Sequence, residues 1–150
     1  MEHSQIALLD EPAQILLVED DQDDVLLIKR AFGSILENFV LTVAENGQKG
    51  LDHLLSPTSD NKFDIIILDI NMPVMDGYQF LEKLRADERT SKIPVVVLTT
   101  TNNQEQLDKA YELGANTVIQ KDKFFELAPE VAQVLVDYWY RLAHIPDRQS

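Results

Sequence analysis

Short runs of Ile and Val alternate with longer amphipathic stretches along most of the chain. The runs at 15–18, 65–68, 95–98 and 117–119 are rich in Ile and Val and do not alternate, whereas 39–44 is mixed. Continuous short runs mark strands buried on both faces, as in a parallel sheet. Between them lie segments of helical period at 23–36, 47–55, 78–86, 104–113 and 127–143. Val25, Leu26, Ile28 and Phe32 fall at near-helical spacing in the first of these, and Phe80, Leu81 and Leu84 in the third. Gly114 closes the fourth as a natural C′ residue. Five strand–helix repeats predict an α/β fold. The expected form is a flavodoxin-like (βα)5 three-layer sandwich with parallel sheet order 2-1-3-4-5.

Ligands of such sheets bind at the carboxyl ends of the strands. Strand 1 runs into Glu19-Asp20-Asp21, strand 3 into Asp69-Ile70-Asn71, strand 4 into Thr99, and strand 5 into Gln120-Lys121. Adjacent strands lie ~4.8 Å apart, which should put the carboxylates of Asp20 and Asp69 within a few ångströms, with Glu19 nearby. Like charges that close call for a cation, and hard oxygen ligands suit Mg²⁺. The backbone carbonyl of Asn71 offers a further ligand. With the Thr99 hydroxyl and the Lys121 ammonium, the set can move a phosphoryl group. A carboxylate, already ionised at neutral pH, attacks phosphorus, while the cation, Lys and Thr neutralise its oxygens. Each piece also has a structural reading. Asp21 and Asp23 read as helix N-caps, and Asp76-Gly77 as a turn and cap. A lone Lys after a strand is ordinarily solvated. The case for chemistry is that four such residues share one sheet edge.

The last segment is more apolar than a helix on one sheet face requires. At 100° per residue Leu127, Val131, Val134, Leu135, Tyr138 and Leu142 form one stripe. Ala128, Ala132, Val136, Trp139 and Ala143 form another, with Tyr140 at its margin. The apolar arc covers about two-thirds of the circumference. Either these aromatics fold back onto the domain's own edge, or they bury against a second protein. The second reading is favoured, and a symmetric homodimer is its commonest form. The expected interface joins the last helix and fifth strand around Tyr138, Trp139 and Leu142.

Composition narrows the choices. Thirteen Lys+Arg against twenty-six Asp+Glu leave a net charge of −13 on 150 residues that are 45% hydrophobic, with no cysteine. The length and apolar content suit one packed domain. The absence of cysteine excludes a disulfide scaffold, a thiolate metal site and a thiol nucleophile. The charge disfavours nucleic acid and anionic membrane as direct partners. No run approaches the ~18 apolar residues of a membrane span, and the N-terminus lacks the pattern of a secretory signal. A cytoplasmic location is therefore expected. His3, His53 and His144 show no metal-ligand spacing, and the polar loop 56–62 carries no assigned role.

Four stretches together resemble the receiver domain of two-component response regulators. They are Val18-Glu19-Asp20-Asp21, the block from Ile67 through Asp69-Ile70-Asn71-Met72-Pro73 to Asp76-Gly77, Ile93-Pro94 through Leu98-Thr99-Thr100, and Lys121. The resemblance spans about 14–143, leaving 1–13 as an N-terminal arm and 144–150 as a tail. It implies that Asp69 accepts a phosphoryl group from a histidine kinase. Glu19 (through water), Asp20, Asp69 and the Asn71 carbonyl would bind Mg²⁺. Thr99 would be the switch hydroxyl, and Lys121 would contact the phosphoryl group. The strand-4 ending and the segment from Asp137 to Pro146 are similar to small single-domain regulators that partner cyanobacterial phytochrome kinases. Two positions depart from the family pattern. Val118 stands where an aromatic is usual, and Asp122 follows the lysine where many members have proline, so the 121–124 loop is expected to be built differently.

Three other functions compete. A Mg²⁺-dependent phosphohydrolase with an aspartyl-phosphate intermediate would want Asp-x-Asp after strand 1 and a cap domain. A flavin carrier would want a Ser/Thr- or Gly-rich first loop rather than an acidic one. A phosphorylation-independent interaction module would have no need of the intact acid set. The expectation is a phosphoryl-accepting switch rather than an enzyme that turns over an external substrate.

Overall fold

The computed structural model describes residue 9, residues 11–57 and residues 63–142, with Leu142 described in its backbone alone. His3, His144, Ala143, the tail 144–150, most of the arm and the loop positions 58–62 lie outside the described residues. So does the side chain of Leu142.

The sheet contains β1 (Ala13–Val18), β2 (Phe39–Ala44), β3 (Ile65–Asp69), β4 (Val95–Thr99) and β5 (Thr117–Gln120). All pairings are parallel and the order is β2-β1-β3-β4-β5, as the strand–helix alternation predicts. Successive strand side chains point to opposite faces, and the core divides accordingly. Leu16, Val18, Ile66, Leu68, Val95 and Val97 pack under α2 (Gly47–Leu55), α3 (Gly77–Ala86) and α4 (Gln104–Glu112). Ile15, Leu17, Ile65, Ile67, Val96 and Leu98 pack under α1 (Gln22–Gly33), α5 (Lys121–Glu126) and α6 (Ala128–Val136). Phe80 and Phe124, one on each side, are fully buried. Each contributes up to about 3 kcal/mol by removal from water.

Three expectations need correction. Strand β1 begins at Ala13, inside the expected arm, and Leu9 exchanges two hydrogen bonds with the Asn38 side chain. The expected loop at 121–124 is helical: α5 starts at Lys121, directly after β5. The single long helix expected at 127–143 is broken into parts. Leu127 separates α5 from α6, and the chain continues as a π-helical segment, Asp137–Leu142. A π turn rotates the residues beyond it, so the 100° stripes do not carry through to the aromatics. Val134 and Tyr138 are exposed, whereas Ala132, Leu135 and Val136 are buried. Trp139 and Tyr140 pack against the domain's own core, and the Tyr140 hydroxyl donates to Asp64 Oδ2 at 3.2 Å.

Candidate functional site

The site forms where β1, β3, β4 and β5 end. The parallel register pairs Val18 with Leu68, Asp69 with Leu98, and Thr99 with Gln120. One residue beyond each pair, Glu19 and Lys121 join Asp69 and Thr99 at one rim. All four side chains are buried. The nearest carboxylate oxygens of Glu19, Asp20 and Asp69 lie within 4.8 Å of one another, with Asp20 exposed at the mouth. Lys121 Nζ stands 2.8 Å from Glu19 Oε1 and 3.2 Å from Asp69 Oδ1. The Thr99 hydroxyl accepts from the Thr101 N–H at 3.2 Å. Asn71 is exposed two residues beyond Asp69, and its side-chain amide donates to Thr100 Oγ1 at 3.4 Å. The predicted set thus shares one rim.

The electrostatics follow from burial. Desolvation pushes Glu19 up to about 7, against its hydrogen bond to Lys121 and with the charge of Asp69 adding to the rise. Burial likewise raises Asp69, opposed chiefly by the Lys121 charge. Burial pulls Lys121 down, but hydrogen bonds to Asp24 and Glu19 and the charge of Asp69 hold it above its ordinary range. One ammonium therefore faces a surplus of carboxylates. A compact, oxygen-rich donor set with unbalanced negative charge fits a hard divalent cation.

Asp24 and the close approach at Gly77 carry no distinct signal in the sequence, whereas Asp21 and Asp76 cap their helices as expected. Asp21 is the N-cap of α1, accepting from the Asp23 and Asp24 N–H groups, so Asp23 sits inside the first turn. Asp24, one residue on, puts Oδ2 2.8 Å from Lys121 Nζ. Asp76 caps α3 through a reciprocal capping box with Gln79. The neighbouring Gly77 has a second role. A Cβ there would meet the Asp69 carbonyl oxygen and Ile70 Cα at 2.7 Å each. Its N–H donates to Ile70 O at 2.8 Å, drawing the start of α3 beneath the end of β3. Gly77→Ala must push that backbone aside. It is expected to cost about 2 kcal/mol by overpacking, which thermal melting checks. Val74, in the same loop, holds φ +70° although it is β-branched and solvent-exposed, a strained conformation. At the sheet edge, the Tyr111 hydroxyl of α4 accepts from the Val118 N–H at 3.1 Å.

Of the expected interface residues, Tyr138 and Trp139 form a separate patch. The rings of Tyr138 and Trp139 meet edge to face at 4.9 Å between centroids. With Ile119, Leu127, Val131 and Val134 they line an open, largely apolar groove beside the edge strand β5. Among the described residues, no helix is long and apolar enough to cross a membrane.

The chain matches the response regulator receiver domain family over residues 15–130. The probable methanogenesis regulatory protein FilR2 of Methanothrix harundinacea is 31% identical over 132 residues, which cover 87% of this chain and 85% of that protein. Response regulator Rcp1 of Synechocystis sp. is 27% identical over 138 residues, 90% of this chain and 94% of its own. The crystal structure of the Mn²⁺-bound form of Rcp1 superposes with a TM-score of 0.80 at 27% identity, covering 91% of this chain and 100% of that one. That of the phosphorylated cyanobacterial phytochrome response regulator RcpA gives 0.82 at 27% identity, covering 91% and 99%.

Proposed function

Because the chain belongs to the response regulator receiver domain family, we propose that it is a phosphoryl-accepting switch whose acceptor is Asp69 and whose donor is a histidine kinase of the phytochrome type. The observation that carries this reading is the buried Asp69 carboxylate, set between the Lys121 ammonium and the Glu19–Asp20 acid pair. A carboxylate oxygen of Asp69 attacks the phosphorus of a phosphohistidine. The new P–O bond forms as the P–N bond breaks, and its electron pair returns to the imidazole. Lys121 neutralises one phosphoryl oxygen and the Thr99 hydroxyl donates to another. Glu19, Asp20, Asp69 and the Asn71 carbonyl would hold Mg²⁺, which would supply further charge neutralisation. As Thr99 turns toward the phosphoryl group, its bond from the Thr101 N–H is given up. The loop that leads into α4 then rearranges, and the surface of α4 and β5 is read by a partner. The likeness to the cyanobacterial phytochrome response regulator RcpA supports the phytochrome pairing. No external substrate is turned over.

Incubation with Mg²⁺ and a small phosphodonor tests the reading. The intact mass should rise by one phosphoryl group and stay unchanged in EDTA. A protein that gains no mass with Mg²⁺ present overturns it.

The groove at α6 and β5 is assigned to a homodimer. The exposed Val134, the half-exposed Tyr138 and the open edge of β5 support this. Trp139 also packs inward, so Val134→Glu is the cleaner probe. In sedimentation, the parent is expected to run as a dimer and Val134→Glu as a monomer. A monomeric parent removes the assignment.

A further inference from the structure

We infer that Asp24 is a positioning residue for Lys121, holding the ammonium on the α1 side and limiting how fully it is given to a phosphoryl group on Asp69. The inference rests on the phosphoryl-acceptor reading above. An ammonium has three donors. Here three carboxylates surround it: Glu19 and Asp24 at 2.8 Å each, and Asp69 at 3.2 Å. The longest contact is to the acceptor itself. The Asp24 pair closes across 97 residues of sequence, joining the first turn of α1 to the first residue of α5. It is largely sheltered, with side-chain exposures of 20% for Asp24 and 8% for Lys121, so its charge is not fully screened by water.

An acidic residue in the first turn of a helix also favours the helix dipole. Asp23 supplies that effect from the same turn while exposed to solvent, and the Asp21 carboxylate satisfies the N–H groups of both residues. Asp24 is the one aimed at the lysine. When Asp69 carries a phosphoryl group, an added oxygen needs a Lys121 donor that Asp24 holds. The Asp24 charge also cancels part of the positive potential that a dianion would feel. Removing that charge while keeping the side chain's shape should therefore strengthen the hold on a phosphoryl group.

The test is calorimetric titration of the full chain with beryllofluoride, a mimic of the bound phosphoryl group, in saturating Mg²⁺. Asp24→Asn is expected to bind about tenfold more tightly than the parent, the effect of one charge-assisted hydrogen bond. Asp24→Glu should stay close to the parent, and Asp23→Asn should not change the affinity. In the metal-free protein, the ¹H–¹⁵N signal of the Lys121 ammonium should be protected in the parent and lose protection in Asp24→Asn. If the parent and Asp24→Asn bind equally and the ammonium signal is unmoved, Asp24 acts on α1 alone and the inference falls, while the acceptor reading stands. If the parent does not bind beryllofluoride, both fall.

Discussion

Asp69→Asn is expected to abolish phosphoryl uptake and, in the absence of metal, to make the protein more stable. The two effects have one cause. Asp69 is a buried carboxylate, raised by desolvation and only partly compensated by Lys121. The amide keeps its shape and removes its charge. It cannot attack phosphorus as a carboxylate does, so the mass gain with a phosphodonor should vanish. A gain retained in Asp69→Asn would move the acceptor elsewhere. The same change relieves an incompletely paired buried charge, for which a gain of about 1–2 kcal/mol is expected. The pH dependence has a definite sign. Glu19 is raised from 4.5 to about 7 in the folded protein, partly by the Asp69 charge. A group raised on folding stabilises below its unfolded value, and that contribution is lost as pH rises through the folded one. The metal-free parent should therefore lose stability between about pH 4.5 and 7. The loss should be shallower in Asp69→Asn, which removes one raised group and lightens the other. Melting curves in EDTA across that range check both. A metal that neutralises the pocket should reverse the parent's loss.

Arg85→Met is expected to destabilise the domain by about 3 kcal/mol or more without touching the acidic site. Arg85 lies at the opposite, amino-terminal end of β4. Its guanidinium donates to Gly114 O from Nε at 3.1 Å and Nη2 at 2.7 Å, and to Asn116 Oδ1 at 3.0 Å. Nη1 reaches Ser91 O at 2.9 Å and Ile93 O at 2.7 Å. Five N–H donors in a rigid fork thus join the end of α3, the approach to β4 and the turn before β5. Burial lowers its pKa. Methionine keeps most of the apolar stem and removes every donor, leaving partly buried carbonyls without these partners. Arg85→Lys should recover only a minor part, because a point ammonium cannot span the fork. Chemical denaturation measures the loss, and a change below 1 kcal/mol would show that water replaces the fork at little cost. Gly114 belongs to the same arrangement. It holds φ +112°, and a Cβ there would meet Arg85 Cγ and Nε at 2.7 Å each.

The five repeats, the sheet order and the rim of acids were legible because each rests on a local signal. Continuous Ile/Val runs report burial on both faces, and a polar residue ending such a run falls at a strand's carboxyl end whatever the rest of the chain does. Glu19, Asp69, Thr99 and Lys121 follow from that rule and the parallel register. Gly77 shows in the sequence only as a turn residue. Its close approach to Asp69 depends on where α3 begins in space.

The chain's own pattern thus determined the five strands, the helices that follow the first four of them, and which acids end the strands. These are matters of periodicity and sequence neighbours. Only the tertiary structure decided which way long polar side chains turn, and three cases show it. Lys121 takes Asp24 as well as Glu19 and Asp69. Arg85 spends its donors on carbonyls rather than on a neighbouring acid. Tyr140 swings to Asp64 after a π turn that the 100° stripes did not foresee. The physical reason is common to all three. A flexible side chain or a change of helical pitch is settled by the burial and hydrogen bonds that distant segments offer, and those partners exist only after the sheet has assembled.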